Sequence, residues 1–144
     1  MFHYGYYFKH INIEINKYIQ QHLQTLDLTK PQMDILFILH KHKDHCITLK
    51  ELQDQLQLSY PTLTGLVHRL ESKGYVERRI NEKDKRIHYI VETEEAKKIH
   101  HQIRHVFQDL ESQLMKNIDE PAQQSLQSML IQILQNIEIE EKTC

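Results

Sequence analysis

The segment from Thr48 to Glu92 constrains the fold of this chain more than any other, because helical spacing gives way within it to strand spacing. Its first part predicts a short helix with one buried face, since leucines recur there at steps of three and four. These are Leu49, Leu52 and Leu56. Thr48 precedes them and Glu51 lies three residues further on, the pattern of a capping box at a helix N-terminus.

A second helix is predicted directly after the short turn at residues 57–59. Ser59 can accept a hydrogen bond from the first turn, and Pro61 falls where a helix needs no backbone N–H. Apolar residues at i, i+3, i+4 and i+7 mark the face that packs on the core: Leu63, Leu66, Val67 and Leu70. Gly74 follows the last of these and predicts a left-handed helix stop.

The outward face of this second helix differs from an ordinary solvated face, because no acidic side chain occurs before Glu71. Its members are Tyr60, Pro61, Thr62, Thr64, Gly65, His68, Arg69 and Ser72. Glycine inside a helix costs roughly 1 kcal/mol relative to alanine. Gly65 therefore implies either that another element packs tightly against it or that the helix backbone must come close to a groove.

Two strands joined by a charged loop are predicted after the second helix. Residues 75–79 and 87–91 are rich in β-branched and aromatic residues, and residues 80–86 between them are mostly polar. Helix, turn, helix and hairpin in this order predict a winged helix-turn-helix. That motif places its second helix in the major groove of duplex DNA.

The charge distribution favours the same interpretation. Residues 59–91 hold seven Lys/Arg and four Asp/Glu, a balance of +3, whereas the whole chain carries −2, so the remainder carries −5. Segregated positive charge is expected where one face of a protein meets phosphates. For the loop taken alone, a solvated hairpin with ordinary surface charges is the alternative.

The segments on either side of this lobe predict long amphipathic helices. Their apolar faces consist of Phe8, Ile11, Ile15, Tyr18 and His22 in the first, Ile99, Ile103, Val106, Leu110 and Leu114 in the second, and Leu126, Met129, Leu130, Ile133, Leu134 and Ile137 in the last. A winged lobe is too small to cover so much apolar surface. A bundle within one chain would bury part of it. A symmetric dimer is the preferred alternative, because it would also contact two DNA half-sites about 34–36 Å apart.

Each of the three prolines lies two residues after a side chain that can cap a helix N-terminus, and each such pair predicts a helix start. The capping residues are Thr29, Ser59 and Asp119. With these starts the chain resolves into about six helices and one wing. We expect a mainly α fold with a small β-wing, a single domain over residues 1–144. Residues 30–92 would form the DNA-binding lobe, and residues 1–28 and 93–144 the helical dimerisation region.

Composition narrows the class of protein further. The chain is 40% hydrophobic and 26% charged, as soluble globular proteins are, and no apolar run approaches the roughly 20 residues that span a bilayer. The N-terminus lacks the features of a secretory signal, and Cys46 and Cys144 provide no disulfide framework. We expect a cytoplasmic protein with no membrane partner. Because no phosphate-binding loop or nucleophile elbow occurs, we expect no enzyme and assign no cofactor or metal.

Over essentially its whole length, the chain resembles the multiple-antibiotic-resistance regulator (MarR) family. The matching motifs are Leu28-Thr29-Lys30-Pro31-Gln32, Ser59-Tyr60-Pro61-Thr62, Leu70-Glu71-Ser72-Lys73-Gly74-Tyr75-Val76 and Asp84-Lys85-Arg86 followed by Thr93. Within the family the chain looks closest to repressors of multidrug efflux genes from Gram-positive bacteria. The resemblance implies a homodimeric regulator, expected to be a repressor, that binds a pseudo-palindromic operator in double-stranded DNA.

The resemblance also implies which residues contact DNA. The helix from Ser59 would enter the major groove and the wing tip the adjacent minor groove, with Arg86 in the groove and Asp84 bracing the wing or a neighbouring arginine. The full set of expected DNA contacts is Ser59, Tyr60, Pro61, Thr62, Thr64, Gly65, His68, Arg69, Lys83, Asp84, Lys85 and Arg86. Arginine suits this position because it binds guanine bidentately or enters a narrow minor groove. Asn81 and Glu82 depart from the more basic wing tips common in the family.

Family members commonly bind planar, apolar or anionic small molecules between the dimer helices and the winged lobe. The residues expected to line such a site here are Tyr4, Tyr7, Phe8, Ile11, Met33 and Phe37. Core and dimer contacts are the alternative role for each of them.

Three alternatives remain open. Histidines cluster at positions 40, 42 and 45 beside Cys46 and at positions 100, 101 and 105, and imidazoles one turn apart can share zinc, so a zinc-responsive regulator of the same fold is one. A thiol sensor built on Cys46 beside His45 is another. A winged helix that binds other proteins and no DNA is the third.

Overall fold

A computed structural model of the chain describes residues 1–142, with side chains as far as residue 138. Its elements are α1 (Tyr4–Thr25), α2 (Lys30–Lys41), β1 (Cys46–Thr48), α3 (Leu49–Leu56), α4 (Tyr60–Ser72), β2 (Val76–Ile80), β3 (His88–Glu92), α5 (Glu94–Leu114) and α6 (Glu120–Lys142). A single 3-10 turn, Lys43–His45, precedes β1. The chain divides into two compact units, one from Met1 to Phe107 and one from Gln108 onward. Cys144 lies outside the described residues.

The predicted helix starts are confirmed by their caps. Thr48 and Glu51 form the expected capping box at α3, and the Ser59 side chain accepts from the Thr62 N–H at the start of α4. The other two proline-marked starts are also capped, at α2 by a Thr29–Gln32 capping box and at α6 by the Asp119 carboxylate, which accepts from the Ala122 N–H at 2.9 Å. Side-chain caps of this kind stabilise a helix by about 1 kcal/mol each.

The wing contains one strand more than the sequence predicts. The additional strand is β1, which contains Cys46, and the sheet is antiparallel in the order β1-β3-β2. β1 pairs with β3 in a register that sets Cys46 opposite Val91. Because β1 is only three residues long, its sequence shows no alternation of polar and apolar residues, and only its pairing with β3 identifies it as a strand. Both strands of the wing hairpin also begin one residue later than predicted.

The hydrophobic core of the first unit lies where the helices meet the sheet. Its fully buried members include Leu23, Ile35, Leu39, Ile47, Leu52, Leu63, Val67, Leu70, Ile90 and Ile103. Each side chain of this size contributes roughly 1.5–3 kcal/mol when taken out of water. Three of the four residues predicted for the buried face of α4 are in this core, whereas Leu66 is half-buried.

Thr93 joins the base of the wing hairpin to the start of α5. Its backbone N–H donates to the Tyr75 carbonyl at 3.2 Å, and its hydroxyl donates to the Gly74 carbonyl at 2.6 Å. The same hydroxyl oxygen accepts from the Ala96 N–H and so caps α5. Gly74 has φ +78°, the left-handed stop expected after α4.

Helix α6 presents a broad apolar face to solvent. Met129, Leu130, Ile131, Ile133, Leu134 and Ile137 are all exposed. In the first unit, the start of α1 is similarly apolar and exposed, at Tyr4, Tyr6, Tyr7, Phe8 and Ile11. Among the described residues, no helix has both the length and the apolar character needed to cross a membrane.

Candidate nucleic-acid interface

Helix α4 presents a polar, largely exposed face that its own hydrogen bonds hold in place. Ser59 donates to the Thr62 hydroxyl at 2.8 Å, and Thr64, which is half-buried, donates to the Pro61 carbonyl at 3.0 Å. The hydroxyl oxygens on this face therefore have fixed directions. The remaining predicted contacts of the helix, Tyr60, Pro61, Thr62, Gly65, His68 and Arg69, are exposed.

Gly65 faces open space. A Cβ placed on it would meet no atom of the described chain within 4 Å. Of the two explanations that the sequence left open, tight packing by another element of this chain is therefore excluded. Close approach of the helix backbone to a groove remains.

Short hydrogen bonds shape the wing tip between β2 and β3. The Asn81 side-chain oxygen accepts from the backbone N–H groups of Lys83 (2.8 Å) and Asp84 (3.1 Å), and so caps the turn. The Asn81 N–H donates to the Ile87 carbonyl at 2.9 Å and closes the hairpin. Asn81, a departure from the family pattern, thus has a structural role that the sequence alone did not reveal.

Arg86 is held in place although its side chain is 90% exposed. Its Nε and Nη2 atoms each donate to a different oxygen of the Asp84 carboxylate, both at 3.0 Å. These hydrogen bonds lower the pKa of Asp84 below its ordinary value, mainly through the Arg86 side chain. The geometry agrees with the bracing role that the family resemblance implied for Asp84.

A groove of about 560 Å³ runs between α3, the start of α4 and the end of the wing. It is lined by Thr48, Leu49, Lys50, Gln53, Asp54, Tyr60, Arg86, Ile87 and His88. Tyr60 and Arg86 were both predicted DNA contacts, and the groove brings them onto one surface. Lys50 and His88 also line it, although the sequence did not single them out, because only the folded arrangement of helix and hairpin places them beside α4.

The residues expected to line an effector site lie in different surroundings. Tyr4 and Tyr7 share a surface groove near the N-terminus, and Phe8 and Ile11 are exposed further along α1. Met33 is buried in the core. Phe37 packs edge-on against the rings of His100 and Phe107. No groove found in the described part of the chain is lined by all six, and their role stays a prediction.

The two histidine clusters noted in the sequence have different surroundings in the structure. His40 and His45 come together with Glu92, which the sequence did not single out. His101 and His105 are exposed on α5, whereas His100 is buried, and burial lowers the pKa of its ring. Burial raises the pKa of the Cys46 thiol, so at neutral pH the reactive thiolate is disfavoured.

Comparison with known proteins identifies the family to which this chain is similar. The model of the MarR family matches residues 28–88. The multiple antibiotic resistance protein MarR of Escherichia coli K12 is 31% identical over 125 residues, 86% of this chain and 85% of that protein. The chain belongs to the MarR family. Members of the MarR family are transcriptional regulators, and the predicted resemblance and fold class are confirmed.

Other MarR-family relatives align over different lengths. The HTH-type transcriptional regulator YfiV of Bacillus subtilis is 36% identical over 74 residues, 51% of this chain. The chain spans about half the length of that relative and of a second one from the same organism, 45% and 55% respectively. Among solved structures, a mutant of S. aureus MepR superposes with a TM-score of 0.87 at 26% identity, over 94% of this chain and 99% of that one. A complex of S. aureus MepR with DNA superposes with a TM-score of 0.72 at the same identity, over 94% and 99% of the two chains.

Proposed function

We propose that this MarR-family chain is a homodimeric, sequence-specific DNA-binding transcriptional regulator in the cytoplasm, a repressor that a small-molecule effector releases from its operator. The observation that carries the proposal is the surface shared by the recognition helix and the wing. Tyr60 of α4 and Arg86 of the wing line one groove. An element for the major groove and one for the minor groove thus lie side by side.

The chemistry of α4 supports base and phosphate contacts in the major groove. Threonine and serine hydroxyls reach phosphates, and the threonine methyl group can contact a thymine methyl. Arg69 and His68 are exposed on the same face, and Arg69 forms no ion pair within 4.0 Å with the described residues. Open space in front of Gly65 lets the helix axis come closer to a DNA groove than any larger residue would.

The wing supports a contact in the minor groove. Because Asp84 holds the Arg86 guanidinium before any DNA binds, less side-chain freedom is lost on binding. The guanidinium edge opposite Asp84 stays available to a base or a phosphate. Lys83 and Lys85 lie on either side of Asp84 in the sequence. Both are exposed, and an exposed lysine suits contacts with phosphates.

Exposed apolar surface supports the assignment of residues 1–28 and 93–144 to dimerisation. Soluble monomers rarely expose contiguous apolar patches beyond a few hundred Å². Leu134 and Ile137 of α6 are 60% and 55% exposed, and the α1 aromatics add a second apolar area. A two-fold dimer would bury such surface and present residues 30–92 of each chain to one half-site.

The effector-binding part of the proposal rests on the aromatic residues of α1 and α2. Tyr4 and Tyr7 line an open, mostly apolar groove of about 590 Å³, and a phenolic hydroxyl can donate or accept a hydrogen bond. Planar apolar ligands are bound by such surfaces, with a few polar groups that fix their orientation. Tyr4, Tyr7, Phe8, Ile11, Met33 and Phe37 are the proposed contacts.

A salt-dependent mobility-shift assay with the DNA upstream of the gene for this chain tests the proposal. For a regulator that neutralises several phosphates, the logarithm of the binding constant falls linearly with the logarithm of the salt concentration. We expect a specific complex that survives excess competitor DNA and weakens steeply between 50 and 200 mM salt. Operator fragments that bind no better than random DNA at any salt concentration would contradict it and favour a protein-interaction module.

A further inference from the structure

The strand register brings a second group of functional side chains together in the winged lobe. Because Cys46 pairs with Val91 in antiparallel strands, the preceding residue, His45, falls opposite the following residue, Glu92. His40, in the last turn of α2, reaches the same carboxylate. The side chains of His40, at the end of α2, and His45, in the turn that follows, thus converge on Glu92, which lies 52 residues beyond His40 in the sequence.

From this convergence we propose that His40, His45 and Glu92 form a binding site for a divalent transition metal of the zinc class. The candidate ligand atoms all lie within 4.8 Å of one another. The His40 Nδ1 atom lies 2.8 Å from Oε1 of Glu92, and the His45 Nδ1 atom lies 3.0 Å from Oε2. Two donors bound to one zinc ion in tetrahedral geometry are about 3.3 Å apart, so little movement admits the ion.

The contact between His45 and Glu92 is short but is not a hydrogen bond. Neither the His45 Nδ1 atom nor the Glu92 Oε2 atom has a hydrogen-bond partner among the described residues, although both atoms are buried. Buried polar atoms without a partner are rare in folded proteins and call for an explanation. A metal ion that takes both atoms as ligands would satisfy them together.

The charge of Glu92 points in the same direction. Its side chain is only 2% exposed, and the described chain places no lysine or arginine nitrogen within 4.0 Å of the carboxylate, only the two imidazoles. Burying a carboxylate without a full opposite charge is unfavourable. A divalent cation supplies that charge and leaves the imidazoles neutral, as metal ligands must be.

The surroundings hold the two imidazoles near the carboxylate without a metal. The ring of His100 stacks on that of His40 at a centroid distance of 3.8 Å. Asp44 and His45 adopt left-handed backbone conformations, φ 58° and 50°, which turn the chain back towards Glu92. Aspartate and histidine adopt this conformation more readily than most residues other than glycine, so the turn can hold His45 beside Glu92 without a metal.

The donor set selects the metal. Imidazole nitrogen suits zinc, copper, iron and nickel, whereas magnesium and calcium prefer oxygen ligands alone. Two histidines and one carboxylate leave the fourth tetrahedral position open. Water can take this position, because the His45 side chain is 45% exposed to solvent. None of the three residues lines the groove shared by Tyr60 and Arg86, and the site does not depend on the proposed function.

Metal titration of the chelator-stripped protein tests this site. We expect the full chain to bind about one Zn²⁺ per chain in competition with a chromophoric chelator, and to give the visible absorption of tetrahedral Co²⁺ without a thiolate charge-transfer band. His45→Gln should lower the affinity by more than the 10–100-fold typical of losing an outer-shell partner. His45 is partly exposed, so this variant should fold, whereas Glu92→Gln, at a buried position, is the secondary test.

Two matched controls separate this site from adventitious binding to the other histidines. His42→Gln removes a neighbouring imidazole whose Nδ1 atom faces the Lys43 carbonyl. The double variant His101→Gln/His105→Gln removes the exposed helical pair on α5. Both should bind Zn²⁺ as the parent chain does. Unchanged affinity in folded His45→Gln, a loss of binding in the α5 double variant, or a thiolate band from Cys46 would overturn the assignment.

Discussion

Asp84 holds the guanidinium of Arg86 through two hydrogen bonds of 3.0 Å, from Nε to Oδ1 and from Nη2 to Oδ2. The backbone N–H of Arg86 donates to the same carboxylate. An arginine at an exposed loop tip ordinarily samples many rotamers, and ordering such a side chain costs up to about 2 kcal/mol. The pair therefore fixes in advance the one side chain on which the proposed minor-groove contact depends.

Replacing Arg86 tests that contact directly. We expect Arg86→Ala to weaken operator binding by about 1–3 kcal/mol, because a guanidinium–base contact is lost. Arg86→Lys should recover only part of it, since an ammonium cannot bind bidentately. Fluorescence anisotropy measures the affinity and thermal melting checks the fold. Equal operator affinity of Arg86→Ala and the parent chain at physiological salt would show that Arg86 does not contact DNA.

The pKa of Asp84 tests the brace itself. The Arg86 hydrogen bonds lower it, so the brace is fully present above the ordinary aspartate pKa and is lost only as pH falls through the lower, folded value. Operator affinity should thus be insensitive to Asp84 from neutral pH down to the ordinary aspartate range. Carboxyl NMR titration should give a depressed pKa in the parent chain that returns towards the ordinary value in Arg86→Gln. The same pKa in both proteins would contradict the pairing.

Gly65→Ala should separate stability from DNA binding. The added Cβ meets open space and improves helix propensity, so unfolding free energy should rise by up to about 1 kcal/mol. Operator affinity should fall, because the methyl group prevents close approach of the backbone. Gly5→Ala in α1 is the matched control, since its Cβ also meets nothing, and it should leave affinity unchanged. If Gly65→Ala binds the operator as tightly as Gly5→Ala does, the helix backbone does not approach DNA closely there.

Lys85→Ala should act through phosphates and not through bases. We expect weaker binding that is nearly uniform across operator and random sequences, with the slope of log affinity against log salt reduced by about 1. Lys97→Ala provides the control, because Lys97 is paired with Glu94 on α5 at 2.8 Å, away from the proposed DNA contacts. A change in sequence preference in Lys85→Ala would instead indicate a base contact.

Leu134→Glu should disrupt the proposed dimer. A charge buried in an apolar interface without a partner is strongly unfavourable, and Leu134 is 60% exposed in the single chain, so folding should be unaffected. Light scattering should show a shift from dimer to monomer and anisotropy a matching loss of operator affinity. Ser128→Glu, at an exposed polar position of α6, is the control. A dimer that persists in Leu134→Glu would place the interface elsewhere.

Local chemistry made much of the fold predictable. Thr48, Ser59 and Gly74 each impose a start or a stop by hydrogen bonding or backbone conformation with close neighbours, and all three appear where expected. The spacing of apolar residues in α4 likewise predicted most of its buried face, because helical periodicity depends on close neighbours in the sequence. A residue such as Leu66 turned out half-buried because its exposure depends on which distant element covers that side of the helix.

What the sequence concealed depends on pairing between distant segments. β1 is too short to show a pattern, and its pairing with β3 alone brings His45 to Glu92. Lys50 joins the proposed DNA surface only because the wing folds back beside α3. Asn81 departs from the basic wing tips common in the family, and only the folded turn shows that its side chain caps the backbone N–H groups of Lys83 and Asp84.

Thr93 has a consequence for how the lobe comes apart. The Thr93 hydroxyl bonds both the base of the hairpin and the first turn of α5, and the Thr93 amide adds a second bond to the hairpin base, so fraying of either element disturbs hydrogen bonds of the other. We expect the hairpin and the start of α5 to open as one cooperative unit, with amide hydrogens on both sides of Thr93 showing similar protection from exchange with solvent. An event that loosens α5 at its beginning would then release the base of the wing as well.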